Sequence, residues 1–153
     1  MPSDAEAIAR RPADPLLALP AFGLMLVGFA SFVANAVTLA RIADDPAGYD
    51  VAAKVNAAAA AAMIGQDPEA AAAHPLARWE THAAAGGWGA ACGAVSFAGG
   101  LGTTLRRWRR LALVGGAAAV LNAPHLCCVP GAAFGLWALV LLRSAEGREH
   151  FSR

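Results

Sequence analysis

The chain has 153 residues, of which 58% are hydrophobic and 15% are charged, and its formal net charge is +1. Soluble domains carry about 25% charged residues, so the deficit of charge favours a membrane protein. The balanced charge gives no reason to expect nucleic-acid binding. The length leaves no room for a second catalytic module. Three cysteines are too few for a disulfide framework.

The chain begins with a polar tail, residues 1–14, and an uncharged apolar segment follows. Because about 20 apolar residues cross a bilayer as a helix, we expect a first membrane span at residues 16–40. A cleaved signal peptide is the alternative, since Arg10 and Arg11 resemble its basic start and residues 34–36 resemble its cleavage site. Apolar residues continue past that site, which favours a retained span; cleavage would leave three spans.

The next segment, residues 41–80, holds six acidic and three basic side chains, and its alanine-rich stretch is too short to cross a bilayer. We expect two short helices here, lying on the membrane surface or on the spans. Asp50 is the predicted N-cap of a helix that runs to Gly65. Asp67 is the predicted N-cap of a second helix with Pro68 in its first turn.

A second span is predicted at residues 82–105, because this stretch is free of charged residues. Trp79 and Trp108 flank it at a separation of 29 residues. In a regular helix that separation is about 43 Å, close to the full thickness of a bilayer with its headgroups. Both tryptophans therefore fit the aromatic belts at the two membrane interfaces.

The longest uncharged run covers residues 111–142, which is too long for one crossing and short for two. Asn122, two prolines and a glycine lie near its centre, and such residues favour a turn. The run therefore predicts a helical hairpin with a third span at residues 111–126 and a fourth at residues 129–143.

The basic residues set the expected orientation. Nine of the twelve lie before the first span, between the second and third, or after the fourth. Because cytoplasmic loops are enriched in Lys and Arg, both termini are predicted to be cytoplasmic. The predicted fold is all-α: an integral membrane four-helix bundle at residues 15–142 in the bacterial inner membrane, with a short, partly helical extracytoplasmic segment at 41–80 and a cytoplasmic tail at 143–153.

Small residues recur at every fourth position on two of the spans, with Gly89 and Gly93 on the second and Gly131 and Gly135 on the fourth. Small residues on one helix face let two backbones approach closely. The pattern is compatible with packing inside the four-helix unit and with homo-oligomerisation through these glycines.

One group of residues could carry chemistry. His125, Cys127 and Cys128 lie in the predicted turn of the hairpin, near the outer face of the membrane. His82 begins the second span near the same face of the membrane. Thiolates and imidazoles suit Zn²⁺ and Cu⁺, so these four residues are candidate metal ligands. The H-x-C-C spacing lacks the two-residue gap of C-x-x-C, and cysteines in apolar surroundings pack as small hydrophobes, which favours a structural role without a cofactor.

Catalytic and transport chemistry has little support. No G-x-S-x-G or H-E-x-x-H motif occurs, and the interiors of the predicted spans carry no Asp, Glu, Lys or Arg. The leading hypothesis is a non-enzymatic membrane module that anchors, scaffolds or self-associates in the lipid bilayer. The alternatives are a metal- or thiol-redox-handling protein that uses the hairpin turn, and a small channel or exporter for neutral solutes.

The last 48 residues hold a basic turn at 106–110, an alanine-rich apolar helix, the Cys127-Cys128 pair, and Gly-Leu-Trp-Ala-Leu-Val-Leu-Leu at 135–142. This part resembles small uncharacterised multi-span bacterial membrane proteins of planctomycete-like genomes, in which a similar turn and cysteine pair precede a Gly-Ile-Trp-Ala-Leu-Val-Val-Leu-like span. The chain departs from them at Ser144-Ala145, where a proline is usual. The resemblance implies a four-span unit associated with membrane-anchored assemblies, and it implies no activity.

Overall fold

The structure, a computed structural model, describes residues 15–122 and 129–151. These residues form seven α-helices and one 3₁₀ helix, with no strand among them, which confirms the all-α prediction. The α-helices are α1 (Pro15–Asp44), α2 (Pro46–Met63), α3 (Pro68–Ala73), α4 (Trp79–Thr104), α5 (Arg109–Leu121), α6 (Val129–Arg143) and α7 (Ala145–His150), and the 3₁₀ helix is Pro75–Ala77.

The chain divides into two compact units. Unit 1 contains the described residues 15–32, 91–122 and 129–151, and unit 2 contains residues 33–90. Helices α1 and α4 therefore contribute residues to both units.

Within the described ranges, one helix is long and apolar enough to cross a membrane. It is the 28-residue stretch Leu17–Asp44 of α1, whose most apolar window has a mean hydropathy of 2.1. Helix α6 is apolar but has 15 residues, and the 26 residues of α4 include many glycines, which dilute its apolar character. The chain is thus a helical protein with one candidate membrane-spanning helix in its described part, and the count of four spans stays a prediction.

The helix bounds follow the predicted spans closely. Helix α1 continues to Asp44, four residues past the predicted end of the first span, and α4 begins three residues early, at Trp79. Helix α6 has the bounds predicted for the fourth span, and the predicted tail contains α7. Helix α5 ends at Leu121, and residues 123–126 of the predicted third span lie outside the described residues.

The predicted N-cap of α2 is wrong: the capping residue is Asp45, and Asp50 lies inside the helix. The Asp45 carboxylate accepts a hydrogen bond of 2.9 Å from the Gly48 N–H, and Pro46 occupies the first turn. An aspartate directly before a proline is the stronger start signal, because the proline presets φ while the carboxylate satisfies a free backbone N–H.

The predicted N-cap of α3 is confirmed. The Asp67 carboxylate accepts a hydrogen bond of 2.9 Å from the Glu69 N–H, and Pro68 occupies the first turn. The same Asp-Pro combination thus starts both short helices of unit 2.

In unit 1, the backbones of α1 and α4 meet at two glycines. A Cβ atom at Gly28 would lie 2.6 Å from the Phe97 nitrogen and 2.7 Å from the Gly93 carbonyl oxygen. A Cβ atom at Gly93 would lie 2.7 Å from the Phe32 nitrogen. Side chains do not tolerate backbone atoms at such distances, so only glycine allows the two helices to cross here.

Two further glycine pairs join the remaining long helices of unit 1. A Cβ atom at Gly99 of α4 would lie 2.7 Å from the Gly115 Cα of α5. A Cβ atom at Gly135 of α6 would lie 2.6 Å from the Gly116 carbonyl oxygen of α5. Helix α5 therefore uses adjacent glycines to contact a helix on either side.

The four glycines predicted as a possible oligomer face all contact their own chain. Gly93 and Gly135 take part in the helix crossings of unit 1, and a Cβ atom at Gly131 would lie 2.8 Å from the Val27 side chain. In unit 2, a Cβ atom at Gly89 would lie 2.6 Å from the Asn35 amide. These contacts favour the internal-packing interpretation, and self-association through the four glycines stays a prediction.

Arg109, the first residue of α5, also has a structural contact in unit 1. The Arg109 guanidinium donates from Nη2 to the Leu142 carbonyl oxygen at 2.9 Å, and from Nε to the same oxygen at 3.3 Å. This carbonyl belongs to the last turn of α6, where carbonyl groups lack helical partners and attract cations. Arg109 thus joins the start of α5 to the end of α6.

Two substitutions on α4 test the helix crossing. We expect Gly93→Ala to destabilise the protein by about 1–3 kcal/mol, because the new methyl group meets backbone atoms of α1. Gly87→Ala is the matched control: a Cβ atom there meets nothing within 4 Å, and alanine in a helix is favoured over glycine by about 1 kcal/mol. Thermal unfolding of the detergent-purified variants, followed by circular dichroism, measures both. Equal effects of the two changes would contradict the crossing.

Candidate functional site

Three of the four predicted metal ligands, His125, Cys127 and Cys128, lie outside the described residues. The fourth, His82, lies on α4 in unit 2. Within residues 15–122 and 129–151, no group of three or more His, Cys, Asp or Glu side chains could hold a metal ion. The metal site at the hairpin turn therefore stays a prediction.

The His82 ring packs against Tyr49 of α2. The ring centroids are 5.6 Å apart and the planes meet at 70°, the edge-on arrangement that aromatic pairs prefer. Such a pair contributes about 0.5–1.5 kcal/mol beyond the area that it buries. His82 thus helps to hold α2 against the beginning of α4 within unit 2.

Asp50 connects the same two helices. Its carboxylate forms an ion pair with Lys54 and accepts a hydrogen bond of 3.2 Å from the backbone N–H of Trp79, the first residue of α4. The hydrogen bond from Lys54, with a smaller contribution from the Trp79 N–H, holds the pKa of Asp50 below its ordinary value. Asp50 thus satisfies a free backbone donor of α4, 29 residues away along the chain.

Unit 2 contains an open groove of about 1190 Å³, lined by residues from the end of α1, from α2 and α3, from the 3₁₀ helix and from the start of α4. Much of its wall is alanine: Ala52, Ala53, Ala57, Ala70 and Ala71. Because an alanine side chain ends at Cβ, two packed alanine-rich helices leave space that larger side chains would fill.

Polar and charged side chains line the same groove: Thr38, Arg41, Asp44, Asp45, Tyr49, Asn56, Gln66, Asp67, His74 and His82. Two of the aspartates already act as helix caps, Asp45 for α2 and Asp67 for α3. Arg41 and Asp44, both on the last turn of α1, form no ion pair with another side chain in the described part of the chain. The end of α1 thus brings two charges of opposite sign to the groove, and within the described ranges neither of them forms an ion pair or caps a helix.

His74 is suited to donate a hydrogen bond rather than to bind a metal. Its Nδ1 atom accepts a hydrogen bond of 3.2 Å from the Leu76 N–H. In a neutral imidazole, an accepting Nδ1 places the ring proton on Nε2, so the second nitrogen is a donor without a free lone pair. His74 therefore offers the groove an N–H group.

The sequence interpretation gave no role to Arg41, Asp44 or Tyr49. A signal was present for the first two, since a helix that ends in two opposite charges three residues apart places both on one face. Tyr49 had no such signal, because its partner His82 is 33 residues away in the chain.

Comparison of the chain with models of protein families, with curated proteins and with solved structures gives no match.

Asp50 gives a pH-dependent prediction. Folding lowers the pKa of this carboxyl from its ordinary value of 3.8. Such a group stabilises the fold at pH values above its unfolded pKa, and this stabilisation is lost as the pH falls through the lower pKa of the folded state. We therefore expect the Trp79 amide to exchange its hydrogen more slowly in the wild type than in Asp50→Asn near neutral pH. The ratio of the two rates should approach one as the pH falls below about 4.

Amide exchange measured by NMR at matched pH removes the intrinsic effect of pH on the exchange rate. Glu69→Gln is the control, because this exposed side chain belongs to α3 and does not bond the Trp79 amide. If Asp50→Asn left Trp79 protection unchanged at every pH, the assigned link between α2 and α4 would be wrong.

Proposed function

We propose that this chain is a non-enzymatic integral membrane module, in which the long helices of unit 1 lie in the bilayer and residues 41–80 lie on its outer side. The proposal depends chiefly on one observation: unit 1 exposes many of its large apolar side chains, while its interior combines a few leucines, among them Leu24 and Leu142, with small and polar side chains.

The exposed apolar side chains of unit 1 come from every long helix. The exposed fraction is 63% for Phe22 and 59% for Leu26 on α1, and 64% for Val140 on α6. Others are Leu19, Phe29, Leu101, Val114, Leu121, Val129, Leu136 and Trp137. A soluble monomer rarely exposes so extensive an apolar surface, whereas a bilayer requires one.

The burial of α1 supports the same conclusion. Only 39% of its most apolar window is buried inside the protein. In a soluble protein, a helix of this hydropathy belongs to the core and is largely covered. A lipid environment covers the remaining surface without further protein.

The interior of unit 1 contains several polar side chains that form hydrogen bonds. The Asn122 amide donates from Nδ2 to the Ser31 hydroxyl at 2.7 Å, which joins α1 to the end of α5. The hydroxyl groups of Ser96 and Thr103 donate to carbonyl oxygens one turn earlier in α4. Hydrogen bonds of these kinds are typical of helices that associate in membranes.

The four-span arrangement assigns α1, α4, α5 and α6 to the spans. The 13 and 15 residues of α5 and α6 extend about 20 and 22 Å, less than the roughly 30 Å of a hydrocarbon core. We therefore propose that the end of α5 at Leu121 and the start of α6 at Val129 lie below the outer membrane surface. The basic residues favour cytoplasmic termini, and the resemblance to four-span bacterial proteins agrees with this arrangement.

A charge on the exposed face of α1 distinguishes a membrane helix from a soluble one. We expect Leu26→Lys to reduce the amount of protein in the membrane, because a lysine near the bilayer centre costs about 2.5–3.5 kcal/mol on insertion scales. On a soluble surface the same change would alter stability by about 0.5 kcal/mol or less.

The matched control is Val51→Lys, at a side chain of α2 with a similar exposed fraction, 62%. Western blotting of membranes washed with alkaline carbonate measures retention. Release of the wild-type protein by carbonate would refute the proposal, and so would full retention of Leu26→Lys.

Cysteine labelling tests the orientation. In a variant whose native cysteines are replaced by alanine, we expect Ala62→Cys on α2 to react with a membrane-impermeant maleimide in intact spheroplasts. Ala145→Cys on α7, also an exposed position, should react only after permeabilisation. The reverse pattern would place residues 41–80 in the cytoplasm.

A further inference from the structure

Two charges of opposite sign lie side by side in the groove of unit 2. Arg41 and Asp44 occupy positions three residues apart on α1, so their Cβ atoms are about 5–6 Å apart on one helix face. Elsewhere in unit 2, Lys54 pairs with Asp50 and Arg78 with Glu80. Arg41 and Asp44 make no such pair with the described side chains, which leaves both charges available to a ligand.

The groups near Asp44 suit a cation. Asp45 adds a second carboxylate, of which Oδ1 accepts the bond from Gly48. Tyr49 lines the same groove, and an aromatic face attracts an ammonium group. His82, packed edge-on against Tyr49, holds that ring in place. This part of the groove thus combines negative charge with an aromatic wall.

Arg41 suits an anion. A guanidinium offers several N–H donors in one plane and binds a carboxylate or a phosphate through two parallel hydrogen bonds. The Nε2–H of His74 adds a donor in the same groove, since Nδ1 is engaged with Leu76. A ligand with a single charge would satisfy only one of the two unpaired groups of α1.

The alanine walls suit an apolar substituent. Alanines from α2 and α3 line the groove, and none of them offers a hydrogen bond from its side chain. The volume, about 1190 Å³, is somewhat larger than the roughly 300–1000 Å³ of most ligand pockets. A small charged molecule with a branched apolar part therefore has room in this groove.

We propose that the groove of unit 2 binds a zwitterion that carries an ammonium group and a carboxylate or phosphate group within a few ångströms of each other. Arg41 binds the anionic group, Asp44 with Asp45 binds the ammonium group, and the alanine walls contact the apolar substituent. Two sources supply this chemistry: a free amino acid and the headgroup of an aminophospholipid. The site lies within unit 2 alone, so it does not depend on the number of membrane spans.

The test is titration calorimetry on the purified full chain in detergent, with L-valine as the free zwitterion and glycerophosphoethanolamine as the headgroup. Isobutylamine and isovalerate are the matched controls, because each keeps the branched chain of valine and only one of its charges. We expect saturable binding of one of the zwitterions, at one per chain. If valine binds, both single-charge analogues should bind at least about tenfold more weakly.

Substitutions assign the contacts. Arg41→Gln and Asp44→Asn should each weaken binding of the zwitterion by at least about tenfold. Arg78→Gln and Glu80→Gln should leave it unchanged, since this exposed pair is in unit 2 but does not line the groove. Ala52→Leu should block the groove sterically, whereas Ala62→Leu, on the same helix and away from the groove, should not.

Arg41 and Asp44 are exposed and Ala52 is an exposed helical position, so unchanged circular dichroism is expected for all six variants.

If valine binds and glycerophosphoethanolamine does not, the natural ligand is a free solute; the opposite result identifies a lipid headgroup as the ligand. The proposal is overturned if neither zwitterion binds to saturation, if isobutylamine or isovalerate binds as tightly as valine, or if Arg41→Gln and Asp44→Asn keep wild-type affinity.

Discussion

The backbones of α1 and α4 approach each other at Gly28 and Gly93 so closely that neither position has room for a Cβ atom. Contacts of this kind recur between α4 and α5, and between α5 and α6. Since helices in contact at the backbone leave little space for large side chains between them, most of these side chains lie outside. The exposed apolar surface of unit 1 and its glycine-rich interior are therefore two consequences of one packing constraint.

The same constraint accounts for the weak hydropathy of α4. Glycines such as Gly93, Gly99 and Gly100 contact neighbouring helices, while Trp88 and Leu101 are exposed. An average over the helix counts buried and exposed residues alike, although a bilayer around the proposed span would contact only the exposed ones. A helix rich in glycine for close packing thus has a low mean hydropathy even where its exposed residues are apolar.

Much of the helix layout could be predicted because charged residues bound the apolar segments. Helix α6 has its predicted bounds, and α3 begins at the predicted Asp67 cap.

The role of Asp50 could not be predicted, because its partner Trp79 is adjacent only in the folded chain. The groove was also missed: periodicity identifies which residues a helix buries, but not where two alanine-rich helices leave a space. The predicted metal ligands of the hairpin turn lie outside the described residues.

Small residues have opposite effects in the two units. In unit 1 they bring helices into direct contact, and the hydrogen bond between Asn122 and Ser31 adds a polar link inside. In unit 2 the alanines of α2 and α3 favour helix formation but provide little side-chain surface for packing. Specific contacts must then hold α2 in place, namely the Asp50 hydrogen bond to α4 and the Tyr49–His82 pair. Because a few polar and aromatic groups make these contacts, the alanines of α2 and α3 are left to line a groove. Charged side chains without an ion pair among the described residues line the same groove.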